Sequence, residues 1–222
     1  MNQFLKSIQT GATAEVADAV ELDPALAEYR DPQGVSALLW AIYCGQPLVR
    51  DFLVARLAAH GVALDLFEAA ALGDEARIAA ALDADPEAIE AFSGDGWTAL
   101  HLAAAFGSAG AVALLLKRGA RVDAVSNNPQ RNQPLHAALS LGKDSVIIQT
   151  LLAHGADANA AQVGGFTPIF SAAAANREDL VELLIKHGAN PHQRNDQGKS
   201  PAEYARERDH AELASRLEAL PV

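Results

Sequence analysis

Apolar residues along the chain fall into short blocks with helical spacing, and the blocks come in two alternating kinds. One kind is rich in alanine and ends at a Gly: Gly11, Gly45, Gly73, Gly107 and Gly142 hold that slot at spacings of 34, 28, 34 and 35 residues. Asn176 and Asp209 continue the series at 34 and 33. Asn and Asp follow Gly in tolerance of the left-handed conformation that ends a helix, so they extend the series rather than break it. The other kind follows each stop. Its apolar face is Val112, Leu114, Leu115 and Leu116 in one copy, and Val146, Ile147, Leu151 and Leu152 in the next. Leu180, Val181, Leu183, Leu184 and Ile185 supply a third. These helices close at Arg118-Gly119-Ala120, His154-Gly155-Ala156 and His187-Gly188-Ala189, where a basic last turn precedes a Gly stop.

Nine residues before each slot of the first kind lies a helix start. Ser36, Thr98, Thr167 and Ser200 are N-cap residues, and Pro134, Pro168 and Pro201 occupy the first helical position, where no N–H is needed. The fullest copies read Gly96-Trp97-Thr98-Ala99-Leu100-His101-Leu102-Ala103-Ala104 and Gly165-Phe166-Thr167-Pro168-Ile169-Phe170-Ser171-Ala172-Ala173.

The recurrence of Gly-x-Thr-Pro-Leu-His-x-Ala-Ala, a Gly, and a Leu-Leu helix closed by His-Gly-Ala-Asp-x-Asn resembles the ankyrin repeat. Residues 165–198 match it closely, 96–128 nearly so, and 133–159 well except at the turn. The resemblance implies an all-α solenoid of about seven helix-turn-helix units with short β-hairpin fingers, filling residues 1–222 as one domain. The units fall near 1–33, 34–61, 62–95, 96–130, 131–163, 164–197 and 198–222, the first and last as polar caps with few or no repeats missing beyond them.

Two departures stand out. Asp23-Pro24 and Asp85-Pro86 replace the usual Gly-Ala-Asp turn, each Pro 13 residues after a slot Gly, so the second helix should stop there and a short turn follow. The helix after Gly45 runs about one turn longer than its siblings, and His60 to Leu64 is too short for a finger. The Asp-Pro blocks and Ala-rich helices are similar to bacterial ankyrin proteins.

Charge and composition narrow the function. A formal net charge of −11 repels phosphate backbones and anionic lipid, so neither nucleic acid nor membrane is expected as a partner. No apolar run approaches the 18 or so residues of a membrane span. Met1 to Lys6 lack the pattern of a secretory signal, and the one cysteine, Cys44, fits a reducing compartment, so a cytoplasmic monomer is expected. Catalytic, cofactor and metal sites are expected to be absent. His101 and His136 fall in a structural slot of the repeat, and same-slot residues lie roughly 10 Å apart, too far to share a metal. The chain has no Cys pair, phosphate loop or nucleophile elbow.

In the ankyrin family partners lie against finger tips and the exposed side of the first helices. The resemblance therefore implies contact residues at Val35, Trp97, Phe166, Lys199 and Asn132 before the caps, and at Tyr43, Cys44, Leu72, Phe106 and Leu141 before the slot residues. Asn128 and Arg131 join them in the long loop 127–132. Trp40 is expected in the core. The expected function is a non-catalytic scaffold that binds another protein. A translocated effector docking on a host protein, or a ligand-binding or enzymatic groove, are the alternatives.

Overall fold

A computed structural model describes residues 3–141 and 144–221, so the stop slot at Gly142 lies outside the described residues. The chain is all-helical. First helices α1 (Gln3–Thr10), α3 (Ala37–Tyr43), α5 (Leu66–Leu72), α7 (Ala99–Ala105), α9 (Pro134–Ser140), α11 (Pro168–Ala174) and α13 (Pro201–Arg206) stack on one another in sequence order. Each is followed by a second helix: α2 (Thr13–Leu22), α4 (Pro47–Ala59), α6 (Glu75–Ala84), α8 (Ala109–Lys117), α10 (Ser145–Ala153), α12 (Glu178–Lys186) and α14 (Ala211–Glu218). The second row packs as α2–α4 and as α6–α8–α10–α12, with no comparable contact between α4 and α6.

Local chemistry accounts for the boundaries. The side chains of Ser36, Thr98 and Ser200 accept the amides of Leu39, His101 and Glu203, the expected caps. Thr167 sits at the cap position without such a bond, and Pro168 follows it at the first helical position. Gly11, Gly45, Gly73, Asn176 and Asp209 end their helices with φ between 53° and 71°. Gly107 does not, and its requirement is different. A Cβ there would lie 2.5 Å from the Ala70 carbonyl oxygen, so it allows α7 to press backbone-close on α5. At Asp23 and Asp85 the second helices stop, and each Asp caps a 3-10 turn, Pro24–Glu28 and Pro86–Glu90.

Single bridges, Arg30 to Ser36, Phe92 to Thr98 and Gln162 to Phe166, are the only strand-type pairings among the described residues outside helices. The loops expected as hairpins are thus tight turns held at one point. Two buried clusters make the core. One runs from Phe4 to Leu64 and the other from Val35 to Leu217, and Trp40 and Ile42 pack against both.

Candidate partner-binding surface

The seam between the two clusters follows from the shortened connection. α4 is 13 residues long where α8, α10 and α12 are nine, and only residues 60–65 lead from it to the Asp65 cap of α5. No finger forms there. The fingers on either side, 29–36 and 91–98, consequently touch: a Cβ on Gly94 would come within 2.2 Å of the Gln33 carbonyl oxygen. Beneath them Tyr43, at the end of α3, reaches past α5 and stacks on Phe106 at 5.1 Å between centroids and 29°. Trp40 meets Tyr43 edge-on at 6.1 Å, and Trp97 lies 6.0 Å from Phe106. The four half-buried rings form a continuous ledge. Beside it opens a cleft of about 500 Å³ walled by Ile42, Gln46, Val54, Leu72 and Phe106, with the Arg50–Asp51 pair on its rim.

Carboxylates surround the ledge. Asp31 accepts the Trp40 Nε1–H at 2.9 Å and the amides of Gln33 and Val35. Asp95 accepts the Ser93 hydroxyl at 2.5 Å. Arg30 lies 2.9 Å from Asp65 and 3.7 Å from Glu68. Burial first, then the negative charge of Asp95, Asp65 and Asp31, holds the Tyr43 phenol well above its ordinary value. Burial and the neighbouring Asp65 likewise raise Glu68.

The expected contact residues divide. Tyr43, Leu72, Trp97 and Phe106 converge on the ledge and its cleft. Phe166 is separate and packs on Phe170 and Tyr204, 5.4 Å from each. Arg131 is exposed, with φ at +47°, and Leu141 is 49% exposed. Lys199 is paired with Glu207 at 2.7 Å. Cys44 is half-buried, with a thiol pushed up by desolvation, and joins no site.

Three expectations need correction. Val35 is only 3% exposed. Its N–H and C=O are both tied to Asp31, which turns the side chain into the helix stack beside Leu39 and Leu66. Asn132 is 6% exposed, because its carbonyl accepts the His101 Nε2–H and its N–H donates to the Ser126 Oγ. Trp40, expected in the core, is half-buried and belongs to the ledge. Asn128 is partly committed, accepting from the Ser126 hydroxyl and donating to the Asp95 carbonyl across to the next finger. Tyr204 was missed. Its position on α13 beneath the Arg208 guanidinium, 3.7 Å away, has no mark in the repeat pattern.

The histidines act as backbone ties. His101 and His136 form capping boxes and reach the carbonyls of Asn132 and Ala160, each at 3.0 Å. His192 and His210 reach the carbonyls of Leu220 and Ala174. Among the described residues no three His, Cys, Asp or Glu side chains converge as metal ligands would, and no helix is long and apolar enough to cross a membrane.

Comparison with known proteins agrees with this architecture. A family model described as ankyrin repeats (3 copies) matches residues 66–162 and 143–218. The mouse B-cell lymphoma 3 protein homolog is 37% identical over 114 residues, 51% of this chain and 25% of that protein. The mouse 2-5A-dependent ribonuclease is 49% identical over 59 residues, 26% of this chain and 8% of the enzyme. The putative ankyrin repeat protein YahD of Escherichia coli K12 is 40% identical over 78 residues, 32% of this chain and 38% of that protein. The match thus covers well under two thirds of each of these relatives. With the family model spanning most of its length, the chain belongs to the ankyrin-repeat proteins.

Proposed function

We propose that this chain is a non-catalytic, cytoplasmic scaffold that binds another protein as a monomer, its residues forming one domain of about seven repeat units. The partner docks on the Tyr43–Phe106–Trp97 ledge and inserts an apolar side chain into the cleft beside Leu72. Arg131 and Leu141 lie on the periphery. The observation that carries this reading is the pairing of half-exposed aromatic rings with a cleft of about 500 Å³, whose apolar wall is Ile42, Val54, Leu72 and Phe106 and whose polar wall is Gln46, Arg50 and Asp51. Rings of this kind are typical binding anchors, since they offer large contact area at low entropic cost. Phe166 is assigned to packing on Tyr204, so it serves as the control.

The test is affinity capture from native lysate with wild type, Trp97→Ala and Phe166→Ala. Trp97→Ala should reduce capture of a specific protein by about tenfold or more, with the helical content unchanged. Phe166→Ala should retain capture and lower thermal stability. Equal capture by wild type and a folded Trp97→Ala variant would move the interface off the ledge.

A further inference from the structure

We propose that the partner presents a cationic segment, with arginine or lysine side chains laid over the aromatic ledge between the two touching fingers. The inference rests on the scaffold reading above and specifies the partner's chemistry.

Two independent features of the ledge carry it. The first is charge. Asp31, Asp65 and Asp95 act on the Tyr43 ring and Asp51 stands on the cleft rim, against the guanidinium groups of Arg30 and Arg50 paired with Asp65 and Asp51. Among the described residues, Asp31 and Asp95 pair with no cation. Their bonds go to the Trp40 indole N–H, the Ser93 hydroxyl and backbone amides, and the Tyr43 phenol faces Asp95. Asp31 is already buried beneath the ledge, so its charge acts from below, whereas covering the half-buried Asp95 with a neutral apolar surface would strip water from its carboxylate and return no counter-charge. An anionic surface would be repelled, here and by the chain's net charge of −11.

The second feature is the rings themselves. Aromatic faces attract guanidinium and ammonium groups within about 6 Å of the ring centroid. The chain already uses this contact twice, with Arg208 at 3.7 Å from the Tyr204 ring and Arg56 at 5.2 Å from Phe52. A cation seated over Tyr43 would lie in the field of the half-buried Asp95 carboxylate, with the buried Asp31 charge behind it. Its aliphatic stem would lie along Phe106 and Leu72.

The chain's two tryptophans, Trp40 and Trp97, both stand on this ledge, so intrinsic tryptophan fluorescence reports on it alone. The experiment titrates the full chain with three synthetic peptides of 12 residues or so, alternating Leu with Arg, Gln or Glu. The Arg peptide should give a saturable change that weakens as ionic strength rises from about 0.1 M to about 1 M. Asp95→Asn keeps an acceptor for the Ser93 hydroxyl and should raise the Kd about fivefold with an unchanged melting temperature. Saturation by the Gln or Glu peptide at equal affinity would overturn the charge inference and leave the scaffold reading in place. No response to any of the three, or an unaltered Kd in Asp95→Asn, would also overturn it. The scaffold reading would then be decided separately by capture with Trp97→Ala.

Discussion

Phe170→Ala should destabilise the protein by about 4 kcal/mol and lower its melting temperature by roughly 10 °C. Phe170 is 1% exposed on α11, with Phe166 and Tyr204 in edge contact at 5.4 and 5.7 Å. Truncation removes the ring's burial and leaves a cavity. α11 is pinned by α9 and α13, so its neighbours can close on that cavity only in part. The stack transmits the loss because each first helix is stabilised chiefly by those next to it. Chemical denaturation measures it directly. A loss below about 1 kcal/mol would mean that Phe166 and Tyr204 collapse into the vacated space, contrary to a close-packed repeat.

Acid should destabilise the fold through His101. The imidazole is buried and its pKa is pushed down to about 4, first by desolvation and also by the nearby His136, against a partial restoring effect of its bond to Asn132. Geometry agrees with a neutral ring. Thr98 N–H points at Nδ1 at 3.3 Å, so Nδ1 accepts and Nε2 carries the proton given to the Asn132 carbonyl. With the folded value near 4 and the unfolded value near 6.5, the unfolded chain binds more protons between them. Stability is therefore full above about pH 6.5 and falls as pH drops toward 4. His101 alone accounts for a loss of about 2 kcal/mol by about pH 5 and roughly 3 at the lower limit. His136 is shifted in the same direction for the same cause and adds to it. Denaturation curves at stepped pH should show a shallower decline in His101→Gln than in wild type. An identical decline in the two would assign acid sensitivity to other groups.

The repeat architecture was legible because its signals are local. A cap at Ser36, Thr98 or Ser200 satisfies amides three residues away, and a stop at Asn176 or Asp209 needs only its own backbone angle. The shortened 60–65 connection was legible too. Its consequence was not, because the meeting of fingers 29–36 and 91–98 depends on which elements become neighbours once one is omitted. Reading contact residues by slot treats every finger as equivalent. Tyr43, Leu72, Trp97 and Phe106, read from four separate slots, lie together in the structure, whereas Val35 and Asn132 are buried, their backbones drawn inward by Asp31 and by His101. Gly107 shows the same limit: its position in the series was plain, but the Ala70 carbonyl that requires it is 37 residues away.

The gap between α4 and α6 has a further meaning for how the molecule comes apart. A linear stack is only as cooperative as its weakest step, and here the second row is interrupted and the finger row skips a member at the same place. The Phe4–Leu64 cluster is thus joined to the rest through the ledge and the thin face of α3, while the units from α5 to α12 are held by two rows. Melting should begin at the N-terminal helices and pause at α5, so the surface offered to a partner is also the seam along which the chain first opens.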